Sequence, residues 1–226
     1  MDLLRGFSAE WLRAKRTSIF YLAMIVPIFS VLTTVPSPKK FNWATYSFPN
    51  ASWVVFILPI GIMILSLMSS QLYTNNHMWK NTLVQPISRS TFYLAHTLYL
   101  CSIVLIGYLI VMIGQMITGH IIGLSGDFSP MQFIGHFLLS YFACLHLIFL
   151  QVWLGARFSG VVAPLMVGLG GWILSGVVSR DLPYLSAWLY PMMIVNEPVT
   201  FSIICLGLSI LTLTIGFYSF TRMDIH

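Results

Sequence analysis

The chain has 226 residues, 58% of them hydrophobic and only 8% charged, where a soluble domain carries about a quarter charged residues. With a mean hydropathy of +0.86 it cannot solvate its own surface in water, so it reads as an all-α integral membrane protein. It forms a single domain over 1–226, with room for six spans of about twenty residues each and none for a soluble catalytic domain. The net charge of +5 is scattered through short loops, where basic residues set topology and meet anionic lipid, which excludes a nucleic-acid partner.

Residues 1–17 open the chain with Leu3, Leu4, Phe7, Trp11 and Ala14 at helical spacing, and with Arg5, Glu10, Arg13 and Lys15 on other faces. This pattern predicts an amphipathic interfacial helix on the inner leaflet, with Phe7, Trp11, Arg13, Lys15 and Arg16 as its working residues. The stretch is too long and amphipathic for the charged start of a cleavable signal peptide. Six spans follow, near 18–35, 51–71, 93–118, 131–154, 160–179 and 199–220. Pro27 and Pro59 interrupt the first two and favour kinks. Between the spans lie the loop "PSPKKFNWATYSFPN", the turn-rich "GLSGDFSP" with Pro130 placed to open a helix, and the tight "ARFSG". The break "SRDLPYLSAWLYPMMIVNEP" is long, with an apolar, aromatic centre.

Basic residues in the short loops orient the chain. With the N-terminus inside, Arg5, Arg13, Lys15, Arg16, Lys80, Arg89, Arg157 and Arg222 are cytoplasmic, while Lys39, Lys40 and Arg180 are outside. That distribution predicts both termini in the cytoplasm. The largest cytoplasmic break is "LYTNNHMWKNTLVQPISRST" (residues 72–91). Thr74 or Asn75 caps a short helix there, Trp79 and Leu83 share one face, Pro86 ends it, and Ser90 caps the next span. The residues alone fit an amphipathic helix along the inner surface or a plain interfacial loop.

Few residues offer chemistry. No G-x-x-x-x-G-K-[ST] loop is present to cradle a nucleotide. "GLSG" (Gly123 to Gly126) has the form of an intramembrane serine-protease motif. However, His136 and His146 are ten residues apart on one helix and about 80° apart around its axis, so the tetrapeptide reads as a glycine turn. No H-x-x-x-H pair marks a metal site among the six histidines. His136 and His146 instead suit interhelical hydrogen bonds alongside Gln115 and Gln151. Cys101, Cys144 and Cys205 lie in apolar runs and read as small buried hydrophobes. In span five, Ala163, Val167, Gly171 and Ser175 form a line of mostly small residues suited to close helix approach, within one subunit or between two.

"EWLRAKRT" (Glu10 to Thr17) followed by "MWKNTLVQPISRSTFYLAHTL" (Met78 to Leu98) resembles the permease subunits of type-2 ATP-binding cassette exporters. Within these the chain is most similar to lantibiotic self-immunity permeases, with their E-W-L-[KR]-x-K-[RS]-[TS] opening and W-K-x-x-L-x-x-P-[IV]-S-R segment. The resemblance implies that residues 72–91 form a cytoplasmic coupling helix between spans two and three. Asn76, Trp79, Lys80, Leu83, Pro86 and Arg89 would carry its contact with a separate ATPase. It also implies a short re-entrant segment between spans five and six, over 180–198, in which Trp188, Tyr190 and Glu197 stand at the exit. The chain itself would hold no cofactor, since ATP and Mg belong to the partner ATPase. A second permease, identical or related, would complete the transporter in a bacterial cytoplasmic membrane. Its substrate would be an amphipathic peptide, expelled to give the producer immunity or resistance. The residues themselves equally admit another peptide antibiotic, a lipid-linked molecule or sodium, or a stand-alone protein that sequesters the peptide. The sequence departs from the family where no acid stands between Thr74 and His77, and where His96 replaces a usual lysine.

Overall fold

The computed structural model describes residues 2–34, 42–46, 48–74, 88–158 and 160–222. Among these residues every regular element is helical, apart from an isolated bridge between Asn42 and Ser125. The first helix, α1 (Asp2–Lys15), ends where Thr17 adopts an extended backbone and its hydroxyl donates to the Ala14 carbonyl at 2.8 Å. The chain then turns by 75° into α2 (Ser18–Thr33). After one helical turn, α3 (Trp43–Tyr46), a π-helical stretch at Ser52–Ile57 runs into α4 (Leu58–Thr74). The long helices α5 (Arg89–Ile122) and α6 (Pro130–Arg157) follow, and then α7 (Val162–Val178). Two 3-10 turns at Pro183–Leu185 and Ala187–Leu189 lead to the single-turn α8 (Tyr190–Met193) and to α9 (Pro198–Thr221).

Four stretches are long and apolar enough to cross a membrane: Ser52–Leu72, Arg89–Ile122, Pro130–Arg157 and Pro198–Thr221. The bent pair α1–α2 makes a fifth if it is one span. The expected fifth span, α7, has 17 residues, or about 25 Å of helix against about 30 Å of hydrocarbon. Length and composition therefore support four or five spans among the described residues, where hydropathy alone suggested six. The third span is also longer than expected. Ser88, not Ser90, is its cap: extended at φ −63° and ψ 144°, it accepts from the Thr91 N–H at 3.2 Å. A hydropathy window misses the polar first turn that this cap starts.

The two prolines have specific partners. Pro59 has no N–H to give the carbonyl of Val55 four residues earlier, and the Trp172 indole of α7 donates to that oxygen at 2.6 Å. Pro27 of α2 seats against α5 at Gly107, and Val31 seats at Gly114 two turns on, where a Cβ would collide with it. Helix α5 is central: α1 and α2 pack on one side, α6 and α9 on the other. The most extensive helix pair is α6 with α9, and α4 lies between α6 and α7. The core runs along α5 and α6 through Tyr93, Tyr99, Ile103 and Val111 to Phe133, Phe137, Leu147 and Ile148. Aromatic contacts between Phe92 and Phe220 join the start of α5 to the end of α9, so the N-terminal helix and the C-terminal end of α9 share one end of the bundle.

Candidate functional site at the two ends of the bundle

At the end carrying α1, the stripe Phe7, Glu10, Trp11 and Ala14 follows the i, i+3, i+4, i+7 spacing of a buried helix face, and it faces α5. Phe7 stacks on Trp11 at 6.1 Å, and Trp11 meets the Tyr99 ring edge-on at 6.4 Å. Glu10 is carried inside with them and is only 5% exposed. Its carboxylate oxygens lie 3.5 Å from His96 Nδ1 and 3.6 Å from Arg13 Nη1. A carboxylate so buried is tolerated only with partners of this kind.

Phe7 and Trp11, expected against lipid, thus grip the bundle. The surface left outside carries Leu4, Leu12, Arg5, Lys15 and Arg16, with Arg13 half-buried between. Sequence reasoning placed Glu10 on a polar face. Its position three residues after Phe7 and four before Ala14 was the signal that it joins the buried stripe. His96, which stands where a lysine is usual in the resembling family, is the residue that receives it. Arg89, the first residue of α5, is exposed at the same end. Asn76, Trp79, Lys80, Leu83 and Pro86 lie outside the described residues.

At the opposite end the break after α7 folds back into the bundle. His146 Nε2 donates to the Ala187 carbonyl at 3.1 Å, and Ser140 Oγ donates to the Pro191 carbonyl at 2.6 Å. His146 stands sixteen residues into α6, past its midpoint. The segment therefore packs well inside the bundle, about 24 Å along α6 from its start. Trp188 lies against Gly171, where a Cβ would strike its indole, and its N–H approaches Ser175 Oγ at 3.4 Å. The lower half of the small-residue line on α7 is thus a seam within one chain, while Val167 in the same line stays exposed. Tyr190 is 2% exposed, packs on His146 and Phe201, and donates its hydroxyl to the Tyr184 carbonyl. Glu197 is exposed and accepts from the Tyr184 hydroxyl at 3.4 Å.

Beside this segment, at the end of the bundle away from α1, is a cavity of about 470 Å³. It is lined by Thr45, Tyr46, Phe48, Pro49, Asn50 and Ala51, by Pro191, Met192, Val195 and Asn196, and by Thr34 and Gln115. Its polar groups largely satisfy one another. Gln115 accepts from the Asn50 N–H at 3.1 Å and donates to the Phe48 carbonyl at 3.3 Å. Asn50 donates to the Thr34 hydroxyl and accepts from the Ser52 N–H. Burial raises the Tyr46 phenol above its ordinary range, while its hydrogen bond with Gln115 lowers it, so the wall there is neutral. Among the described residues, no charged side chain lines the space.

The remaining motif residues find other roles. Gly123 and Gly126 take positive φ, 69° and 92°, and the Ser125 carbonyl accepts from the Trp43 N–H at 3.0 Å. His136 stacks on Phe48 at 4.5 Å and His146 is bonded to Ala187, so the expected glycine turn is what the tetrapeptide makes. Gln115 holds an outer connection where a helix partner was expected. Gln151 departs further: its amide nitrogen and oxygen are both buried, with no hydrogen-bond partner among the described residues.

A helical bundle with apolar flanks, charge confined to its ends and a segment packed back into it from one end defines a multi-pass membrane protein. Residues 7–175, about three quarters of the chain, match the family described as ABC-2 family transporter protein, and the chain belongs to that family. It is accordingly a membrane permease subunit of an ATP-binding cassette transporter, a transport subunit and not a catalytic one, and it works with an ATPase subunit. No curated relative and no solved structure matches the chain.

Proposed function

We propose that this permease exports an amphipathic peptide, a lantibiotic or similar antimicrobial, from the cell membrane to the outside and so protects the cell that carries it. The observation that carries this reading is the cavity of about 470 Å³ beside the segment after α7, uncharged in its described lining. It has the size of small-molecule sites, about 300–1,000 Å³, and suits an apolar side of a peptide leaving the bundle. Family membership supports an ATP-driven step, and the motifs at Glu10–Thr17 and Met78–Leu98 tilt the substrate toward lantibiotics. Two permease chains, identical or related, act with two ATPase subunits, which hold the ATP and Mg. Both termini and residues 72–91 face the cytoplasm of a bacterial cell, in keeping with the count of basic residues. Asn76, Trp79, Lys80, Leu83, Pro86 and Arg89 meet the ATPase.

Co-expression with the cognate ATPase tests the reading. Trp79→Ala removes an interfacial aromatic worth about 2 kcal/mol, weakening ATPase co-purification by roughly thirtyfold and abolishing peptide resistance while membrane levels persist. Lys80→Ala, at an exposed pair, costs about 0–1 kcal/mol. Full ATPase association and full resistance in Trp79→Ala would remove the coupling assignment. Resistance that survives deletion of the ATPase would make the chain a peptide-sequestering protein instead.

A further inference from the structure

We infer that the seam between α4, α6 and α7 is a hydrated cleft, which admits water from the end of the bundle carrying α1 and binds it at Gln151. Each of the three helices contributes a pair four residues apart: Ser66 and Ser70 from α4, Gln151 and Gly155 from α6, Pro164 and Gly168 from α7. All six are buried. Such pairs lie one above the other on a helix face, so they form three short parallel ridges meeting along one line. Ser66 lies eight residues before the end of α4 and Gln151 six before the end of α6. Gly168 lies six after the start of α7. At 1.5 Å per residue all three sit about 9–12 Å in from the same end of the bundle.

Glycine makes the seam possible. A Cβ at Gly155 would strike the Ser70 hydroxyl, and a Cβ at Gly168 would lie 2.8 Å from Gln151 Nε2 and 2.9 Å from Met63 Cγ. Two of the polar side chains are admitted but not satisfied. Gln151 is 2% exposed, and neither amide atom has a hydrogen-bond partner among the described residues; nor has Ser66 Oγ, on a residue also 2% exposed. An amide offers two donors and two acceptor sites, and buried polar groups in folded proteins are paired with protein or with ordered water. With no partner among the described residues, water is the ligand that completes Gln151 and Ser66.

The geometry also supplies the way in. A small opening, with about 10 Å³ for a water centre, is lined by Ser70, Gln71, Gly155 and Gly160 among others, and it shares Ser70 and Gly155 with the seam. That space holds about one water, and among the described residues its wall carries no charged side chain, which fits water as the ligand. The seam therefore gives α4 one wet face. This inference rests on neither the substrate nor the ATPase assignment.

The test is side-chain accessibility in the full-length chain in membranes, with Cys101, Cys144 and Cys205 replaced. Ser66→Cys is expected to react with a small cationic methanethiosulfonate from the side that labels Ser88→Cys. Val152→Cys, equally buried but in the apolar core, is expected to stay inert. Adding Gln151→Leu is expected to slow the Ser66→Cys reaction about tenfold, the rate equivalent of about 1.4 kcal/mol. A wild-type measurement stands beside these. Hydroxyl radicals generated from water should oxidise Met63, although it is only 3% exposed, because its side chain sits beside Gln151. The proposal is overturned if Met63 is protected from radicals. It is equally overturned if Ser66→Cys is as inert as Val152→Cys, labels from the Ser129 side, or reacts no more slowly with Gln151→Leu.

Discussion

At the end carrying α1, a carboxylate is buried: Glu10 is enclosed by His96 and Arg13, and two turns into the bundle Gln151 has no hydrogen-bond partner among the described residues. At the opposite end, polarity is buried as neutral hydrogen bonds. His146 and Ser140 of α6 satisfy carbonyls of the segment after α7, and Gln115 satisfies the backbone of 48–50. A paired charge is strong only while both partners stay in place. A set of neutral bonds, each worth about 1 kcal/mol net, can be exchanged one at a time. The end with the ion pair thus suits a rigid joint between α1 and α5. The end with neutral bonds suits a segment that yields when a substrate passes.

The largest effect is expected from Glu10→Ala. It leaves His96 and Arg13 without their carboxylate and should destabilise the protein by about 3 kcal/mol, read as a lower Tm in detergent. The triple change Glu10→Leu, His96→Leu and Arg13→Met should recover much of that loss, because an apolar set needs no compensation. If the triple variant is no better than the single, the buried carboxylate and its partners are not what holds α1, and the contrast between the ends collapses. A smaller effect is expected at the neutral end from Gly171→Ala, which forces a Cβ into the Trp188 ring and should cost about 1–3 kcal/mol. Gly170→Ala, one residue away with open space at its Cβ position, should be neutral or gain up to about 1 kcal/mol of helix propensity. Equal Tm values for these two variants would remove the Trp188 seam.

Ser140→Ala should cost about 1 kcal/mol. Its readout is local: amide exchange in 183–197 should quicken while α1 is unchanged. Exchange that quickens in both places would mean that the two ends do not act separately. Smallest of all, Arg5→Ala on the exposed face of α1 should shift stability by less than about 0.5 kcal/mol. A larger shift would show that the outer face of α1 is held as firmly as its inner one.

Much of this architecture was legible because its cause is local. Pro130 opens α6 at its first position, Gly123 ends α5 in the left-handed region, and the Phe7–Trp11–Ala14 periodicity made α1 a helix. The break after α7 was legible as something other than a plain loop because its centre is apolar. Less was legible of the candidate sites. The helix at 72–91 rested on a motif whose central residues lie outside the described part of the chain. Glu10 was assigned to the wrong face because its charge was weighed above its position. The Gln151 seam could not be foreseen, since two glycines and two serines on three helices acquire meaning only when the helices meet.

By itself the sequence determined that this chain is a membrane protein of apolar helices. Burial in hydrocarbon is favourable residue by residue, and backbone polar groups must be satisfied within each helix. It also determined where most helices begin and end, because caps, prolines and glycines act within a turn of themselves. Only the tertiary structure decided which faces meet. It turned Phe7 and Trp11 inward, gave Glu10 to His96 eighty-six residues away, let Trp172 bond the carbonyl that Pro59 leaves open, and drew Ala187 down to His146. These are contacts between residues far apart in the chain, and their energies depend on distance in space, which no local pattern carries.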